Sequence, residues 1–176
     1  MNAARSAART RNLAEWVCLA LIAEAPTHGW AVARLLAPDG EFGRTWSLSR
    51  PLTYRAIERL VDDGLVVESG TEPGAGPERT MLRASPTGAR AVRLWLRTPV
   101  EHPRDARTDL LCKLVLHERR RLDPLPLLET QLAAFAPVFE SLARRARAAD
   151  ADVVDRWRAA SSVAVRRFLE GEIRHH

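Results

Sequence analysis

The apolar residues of the first hundred positions recur with helical spacing in some segments and form short extended runs in others. The pattern from Leu13 to Ala25 predicts a helix that is apolar on both sides, and such a helix must be covered on both sides. A small domain can supply one cover, so a second subunit or another segment of the chain must supply the other. The predicted helices are 13–25, 28–37, 49–63 and 85–97, and the predicted extended segments are 65–68 and 80–84.

Residues that start or stop secondary structure fall between these segments. Thr27 is a good N-cap for the second helix, and Ser49 is one for the third, where Pro51 stands in the first turn. Gly64 ends the third helix as a C′ glycine. The stretch 69–77, rich in Gly and Pro, joins the two extended segments as a hairpin with a long tip.

The second half of the chain predicts long helices with a different period. A helix over 106–120 is expected to bury Leu110, Leu111, Leu114 and Val115. Apolar residues then repeat at alternating spacings of three and four, which is typical of helices packed side by side at a shallow angle. Pro137 lies inside the first of these two seams and should kink or divide its helix. The two seams consist of Leu125, Leu128, Leu132, Phe135, Phe139, Leu142 and Ala146, and of Val154, Trp157, Ser161, Ala164 and Phe168.

The order of elements indicates the fold class. Three helices, a hairpin and a further helix over 13–97 form a winged helix-turn-helix, so the chain is predicted to be mainly α with a small β-hairpin wing and a C-terminal helical part. The two-sided first helix and the two seams leave more apolar surface than one chain of this length readily covers. We therefore expect a homodimer.

The third helix suits the role of a DNA-recognition helix. If Thr53, Ile57, Leu60 and Val61 face inward, then Arg55, Glu58, Arg59 and Asp62 face outward, with Arg50 at the N-terminal end. Recognition helices read bases with their N-terminal outward positions, and Arg matches guanine through two hydrogen bonds. The alternative is a solvated face on which Arg and Glu pair along the helix.

Charge permits nucleic-acid binding without requiring it. The formal net charge is +5 and the sequence pI is about 10.4. Of the 27 basic residues, all are Arg except Lys113, and they are spread along the chain. No single Arg therefore stands out by its identity.

The motifs that mark an enzyme or a metal protein are missing from the sequence. Cys18 and Cys112 lie far apart and predict neither a disulfide framework nor a zinc cluster, so they are expected to be small buried residues. We find no nucleophile triad spacing, phosphate loop, HExxH or CxxC motif. We expect no catalysis, no metal and no cofactor. The competing class is a winged-helix module for protein contacts without DNA binding, which burial of Arg50, Arg55 and Arg59 in ion pairs would favour.

The N-terminal region superficially resembles a signal peptide, because arginines precede the short apolar run Trp16–Ala23. Glu15 at its entrance and Glu24 in the supposed cleavage site argue against export. No stretch approaches the length of a membrane span. The expected location is the cytoplasm.

Several motifs resemble those of the PadR-like transcriptional regulators. The stretch 19–30, ending in Pro26-Thr27-His28-Gly29-Trp30, is similar to the family's first helix and its HGY motif. The stretch 49–65, with Tyr54, is similar to its recognition helix. Arg79 with 85–88 resembles the wing arginine and the helix that follows, and Arg107 with 110–116 resembles the opening of its dimerisation part. The sequence departs from the pattern in Trp30, which stands where the family has Tyr, and in Leu82, which stands where the wing has Tyr.

The resemblance implies a homodimeric repressor that binds a pseudo-palindromic operator in double-stranded DNA and is released by a small aromatic or drug-like ligand. It implies that Tyr54 touches the DNA backbone, although its position equally suits a half-buried residue with its hydroxyl at the rim. His28 is expected to have a structural role in its turn. The domains are then a basic tail (1–12), a DNA-binding domain (13–98) and a dimerisation and effector-response domain (104–176). The expected DNA-binding residues are Ser49, Arg50, Thr53, Tyr54, Arg55, Arg59 and Arg79, and the expected effector-binding residues are Trp16, Trp95, Phe135 and Trp157.

Overall fold

The computed structural model describes residues 11–72 and 79–176. Most of the expected basic tail and the tip of the hairpin therefore lie outside the described residues. The chain divides into two compact units, Met1–Trp95 and Leu96–His176. Each unit is described by itself below.

Helices dominate both units, and one small antiparallel sheet has the strand order β1–β3–β2. This confirms the predicted fold class: a helix-turn-helix with a β-hairpin wing, followed by a helical part. The elements are α1 (Leu13–Ile22), β1 (Thr27–His28), α2 (Gly29–Leu36), α3 (Arg50–Asp62), β2 (Val66–Glu72), β3 (Arg79–Ala84), α4 (Pro86–Arg97), a 3-10 turn (Pro103–Arg107), α5 (Asp109–Arg119), α6 (Leu125–Ala146) and α7 (Val153–His175).

Helix α1 is the centre of the first unit. Every side chain from Val17 to Ile22 is buried, so the helix is covered all round, as a helix apolar on both sides must be. The single chain supplies both covers. Of the two covers that the sequence left open, another segment of the chain supplies the second, so α1 gives no argument for a dimer.

Helix α2 begins differently from the prediction. Its N-cap is His28 rather than Thr27, because Nδ1 of His28 accepts a hydrogen bond from the backbone N–H of Ala31 at 3.1 Å. Thr27 and His28 instead form β1, which pairs with Leu82 and Met81 of β3. The structural role predicted for His28 is thus an N-cap, and the short strand joins the start of α2 to the wing.

Helix α3 ends as predicted and begins with a weaker cap than predicted. Ser49 is at the N-cap, but its side chain makes no capping hydrogen bond. Gly64 follows the C-terminal end with φ of +68°, a left-handed conformation that glycine adopts without steric cost. The buried side of α3 consists of Thr53, Ala56, Ile57 and Leu60, while Val61 is only partly buried.

Ser85 joins the third and fourth helices through the end of the wing. Its hydroxyl donates to the carbonyl of Gly64 at 2.8 Å and accepts from the N–H of Gly88 at 3.0 Å at the start of α4. A Cβ at Gly88 would lie 2.1 Å from the carbonyl oxygen of Leu65. Only glycine therefore allows this close approach of α4 to the wing.

The core of the second unit forms mainly between α6 and α7. From the first predicted seam, Leu128, Phe135 and Phe139 are buried in this core. Helix α6 continues through Pro137 without a break, so of the two predicted effects the division does not occur and the kink stays a prediction. Pro137 is exposed, and its ring meets solvent.

The second predicted seam does not pack in the single chain. Trp157 is 72% exposed and Phe168 is 38% exposed, because α7 turns Ser162 and Leu169 toward the interior instead. The period correctly grouped residues that share a face of α7. Uncovered apolar surface was expected of the first helix and of both seams, and the face of α7 is where the single chain leaves it.

Helix α5 also buries a different side from the predicted one. Leu110 is buried as expected, but Leu111, Leu114 and Val115 are only partly buried. The other buried positions are Cys112, Lys113, Leu116 and His117. Both cysteines are buried, as predicted, and burial raises the pKa of the Cys18 and Cys112 thiols to about 12.

Candidate nucleic-acid interface

The outward face of α3 presents arginines near its N-terminal end. Arg50 and Arg55 are exposed, while Thr53, Ala56 and Ile57 hold the opposite face in the core. Among the described residues, no ion pair holds Arg55. A guanidinium in this position keeps its donors available for an external partner.

Thr53 must be removed from the predicted DNA-binding set. Its side chain is fully buried, and its hydroxyl donates to the backbone carbonyl of Ser49 at 3.1 Å. The residue stabilises the first turn of α3 from inside. Ser49 itself is exposed at the end of the helix.

Arg59 has a structural partner that the sequence did not reveal. Its Nη1 donates to Oε1 of Glu15 on α1 at 3.2 Å. The Glu15 side chain is fully buried, whereas the Arg59 side chain is 47% exposed. A buried carboxylate needs such partners, so Arg59 serves the packing of α1 against α3 first.

A groove of about 580 Å³ lies between α3 and the wing. Helix α3 forms one wall, strands β2 and β3 form the other, and the start of α2 closes one end. Glu58 and Glu68 were not predicted as part of a site, because only the fold places them together. The lining residues are His28, Gly29, Trp30, Arg50, Tyr54, Ile57, Glu58, Val61, Asp62, Glu68, Arg79, Thr80 and Leu82.

Tyr54 packs across the end of this groove. A Cβ at Gly29 would lie 3.0 Å from Cε1 of Tyr54, so the ring lies against the backbone at the start of α2. The guanidinium carbon of Arg50 is 5.7 Å from the centre of the Tyr54 ring. Tyr54 is half-buried, which agrees with the half-core interpretation and still leaves its edge in the groove.

Arg79 lies on the opposite wall, at the first position of β3. Its guanidinium carbon is 5.1 Å from the centre of the Trp30 ring, and its Nη1 is 3.3 Å from Nε2 of His28. The Trp30 ring also has the guanidinium of Arg34 at 5.7 Å. Trp30 was noted in the sequence only as a departure from a motif, and its contact with the wing arginine depends on the pairing of β1 with β3.

The charges of the groove are separated along α3. Arg50 is at the N-terminal end, and Glu58 and Asp62 follow about two and three turns further on. The basic end, together with Arg79, attracts phosphate, whereas the carboxylates repel it. A polyanion would therefore approach the N-terminal half of α3 and the start of β3 in the wing.

The four residues predicted to bind an effector do not share one environment. Trp16 and Trp95 stack in the first unit with ring centres 5.4 Å apart and planes 3° apart, and both are partly buried. Phe135 is fully buried in the core of the second unit. Because no solvent-accessible surface remains on it, Phe135 cannot line an open site in this conformation, and Trp157 lies on the exposed face of α7.

Two titratable residues of α5 are buried, and the sequence pattern predicted the burial of neither. Lys113 donates from Nζ to the carbonyl of Thr98, and burial lowers its pKa to about 8, opposed in part by Asp109. His117 contacts the carbonyl of Lys113 through Nδ1 at 2.8 Å, and burial lowers its pKa. The only hint in the sequence is that Lys113 is the single lysine among the basic residues.

The described residues contain neither a metal-binding cluster nor a helix suited to span a membrane. In residues 11–72 and 79–176, no group of three or more His, Cys, Asp or Glu side chains is arranged to hold a metal ion. Over the same ranges, none of the helices combines the length and the apolar character that a membrane-spanning segment needs.

No protein-family model matches the chain, and no curated protein matches it. Among solved structures, the chain is similar to Bacillus subtilis PadR in complex with operator DNA, with 17% identity and a TM-score of 0.48 over 92% of this chain and 98% of that chain. PadR from the same organism in complex with p-coumaric acid gives 15% identity and a TM-score of 0.45 over 93% and 98%. A PadR-like transcriptional regulator from Bacillus cereus gives 15% identity and a TM-score of 0.40 over 92% and 96%. The chain is thus similar along most of its length to PadR-like regulators, the family that its motifs resemble, but at identities and TM-scores this low the similarity does not by itself assign their function.

Proposed function

We propose that this chain is a sequence-specific DNA-binding transcriptional regulator that acts as a homodimeric repressor. The observation that carries the proposal is the pair of exposed arginines, Arg50 and Arg55, on the N-terminal half of a helix whose other face is buried. Arg79 lies on the wall of the wing, across the groove from Arg50. This is the arrangement in which a recognition helix enters a major groove while the flanking wing meets the backbone.

The alternative of a protein-contact module required the recognition-helix arginines to be buried in ion pairs. Arg59 alone is paired with a buried partner, Glu15. Arg50 and Arg55 are exposed. Their exposure favours a polyanionic partner over a protein surface, so DNA is the better candidate.

The uncovered face of α7 supports the homodimer. Val154, Trp157, Ala164 and Phe168 are exposed and fall on one stripe with Ser161. Such a stripe is the pattern of a helix that packs along another helix at a shallow angle. An apolar stripe that the chain itself does not cover is typical of a subunit interface, and a second copy of α7 offers a stripe with the same spacing.

The proposal includes release by a small ligand, for which the stacked Trp16 and Trp95 are the best-supported contacts. Two parallel indoles offer planar apolar surface to an aromatic compound. Release requires that the ligand bind the DNA-incompetent arrangement of the dimer more tightly than the DNA-competent one. A coupling free energy of typical size between ligand binding and DNA binding lowers DNA affinity roughly 5- to 150-fold. Tryptophan fluorescence during titration with planar aromatic compounds, run beside a DNA-binding assay, tests this step. If a compound quenches fluorescence without changing DNA affinity, it binds the protein but does not release DNA. If no compound changes either quantity, a constitutive repressor is the better account.

The experiment that tests the main proposal is selection of duplexes from a random-sequence DNA library by the wild-type protein. We expect enrichment of a pseudo-palindrome whose half-sites are about 10 bp apart or a multiple of that distance. The same selection with an Arg50→Ala, Arg55→Ala double variant should not enrich it, whereas Arg93→Ala, which removes an exposed arginine of α4, should. If the wild type enriches no sequence, the proposal is wrong.

A further inference from the structure

The contact between Trp30 and Arg79 joins α2 to the wing through two side chains. The guanidinium carbon of Arg79 lies 5.1 Å from the centre of the Trp30 ring, within the range of a cation–π interaction. Trp30 is nevertheless 42% exposed. An indole left this open to solvent contributes little to the core, so its packing does not explain its position.

The backbone around this contact is held in place on both sides. His28 pairs with Met81, and Thr27 pairs with Leu82, in the β1–β3 ladder. Trp30 follows β1 directly in α2, and Arg79 begins β3. The Cα positions of both residues are thus fixed, and only the long Arg79 side chain has much freedom left to lose.

His28 lies beside Arg79 without using the donors of its guanidinium. Its Nδ1 accepts the N–H of Ala31, so in the neutral ring the hydrogen is on Nε2. Nη1 of Arg79 lies 3.3 Å from this Nε2, and two donors facing each other form no hydrogen bond. The guanidinium is therefore held by the Trp30 ring, and no acceptor among the described side chains takes up its N–H groups.

We propose that Trp30 is a positioning residue for Arg79, holding its guanidinium ready for a DNA phosphate at the point where β3 begins. This inference rests on the proposed DNA-binding function. Binding normally costs the entropy of ordering a flexible arginine, and a side chain that is ordered beforehand avoids much of that cost. A cation–π contact at an exposed site corresponds to an effect of about 2- to 5-fold on affinity.

The contrasting interpretation is that Trp30 touches DNA by itself. An exposed indole beside a groove could stack on sugar or base without any help from Arg79. The two interpretations differ in one measurable respect. If Trp30 acts through Arg79, replacing Trp30 does not change DNA affinity in a protein that already lacks the Arg79 side chain. If Trp30 contacts DNA independently, replacing it weakens binding both in the wild type and in the Arg79→Ala protein.

The first arm of the test uses the free protein and needs no DNA. NMR relaxation of the Arg79 Nε–Hε group should report an ordered side chain in the wild type and a mobile one in Trp30→Leu. Trp30→Phe should restore most of the order, because a phenyl ring also offers a face to the guanidinium. An Arg79 side chain that is already mobile in the wild type overturns the proposal, whatever the protein binds.

The second arm is a double-mutant cycle on the duplex selected by the wild type, with dissociation constants from fluorescence anisotropy. We expect Arg79→Ala to lower the magnitude of the salt slope by about one, as loss of one phosphate contact does. Trp30→Leu should weaken binding about 2- to 5-fold alone and not at all in the Arg79→Ala background. Arg34→Ala, which removes the other cation near Trp30, is the control. In the Arg34→Ala protein, the effect of Trp30→Leu should still depend on whether Arg79 is present. Losses of affinity that simply add in the double variant would overturn the proposal. A wild type that selects no duplex would overturn the DNA-binding function, and the NMR measurement would then decide whether Trp30 positions Arg79.

Discussion

Arg59 on α3 donates a hydrogen bond to the fully buried carboxylate of Glu15 on α1, with 3.2 Å between Nη1 and Oε1. The two residues are 44 positions apart in the sequence. An arginine that the sequence placed in the expected DNA-binding set therefore stabilises the packing of α3 against α1. The two roles predict different effects for neighbouring arginines of α3.

Arg59→Ala should lower the free energy of unfolding by about 1.5–3 kcal/mol, because it removes a charged hydrogen bond from a buried carboxylate. Arg55→Ala is the matched control, since it removes an exposed arginine one turn away and should change stability by no more than about 0.5 kcal/mol. Urea denaturation followed by circular dichroism measures both. Equal stability of the two variants would mean that the Glu15 contact contributes nothing to the fold.

Lys113 predicts that part of the stability depends on pH. Its pKa in the folded state is about 8, below the ordinary value of 10.5, because it is buried. Between these two values the unfolded chain binds the proton and the folded chain does not, so the contribution of Lys113 to the free energy of unfolding rises with pH from about 8 to about 10.5. The Cys18 and Cys112 thiols act in the opposite direction above pH 9, since burial raises their pKa to about 12.

A Lys113→Met variant separates the two effects. The free energy of unfolding of the wild type minus that of Lys113→Met should rise between pH 8 and pH 10.5, because the thiols are common to both proteins and cancel. Urea denaturation at several pH values measures this difference. A difference that stays constant across the window would show that Lys113 titrates normally in the folded state.

The exposed stripe on α7 predicts the oligomeric state. Trp157→Glu should convert a dimer to a monomer at micromolar concentration, because it places a charge in the centre of the apolar face. Val163→Glu is the matched control, since Val163 is also exposed but lies on another face of the helix, one residue before Ala164. Sedimentation equilibrium gives the mass of each. A wild type that is a folded monomer refutes the homodimer.

The sequence predicted those features that depend on neighbouring residues. Gly64 ends α3 because a C′ position needs a left-handed residue. The extended segments predicted on either side of the Gly- and Pro-rich tip do form the two strands of a hairpin. The spacing of Leu128, Phe135 and Phe139 correctly indicated one buried face of α6. Each of these rests on local geometry or on a period.

Features that depend on the tertiary fold were missed. Thr27 has the side chain of a good N-cap, but pairing with Leu82 leaves capping to His28. The buried ion pair of Glu15 and the contact of Trp30 with Arg79 both join residues far apart in the sequence. A period tells which residues of a helix share a face, but not what covers it. The sequence therefore predicted more apolar surface than one chain covers, but not that α7 would be the helix left exposed.

The most direct test of the account is the affinity of the wild type and of Arg55→Ala for the selected duplex and for each of its single-base-pair variants, measured by fluorescence anisotropy at fixed salt. If Arg55 reads a base edge, the wild type should lose about 1–3 kcal/mol on substitution at one position of each half-site. Arg55→Ala should bind the original duplex about 1–3 kcal/mol more weakly and no longer distinguish bases at that position. Arg93→Ala should keep the full discrimination. If Arg55→Ala discriminates at every position as the wild type does, α3 is not the helix that reads the DNA.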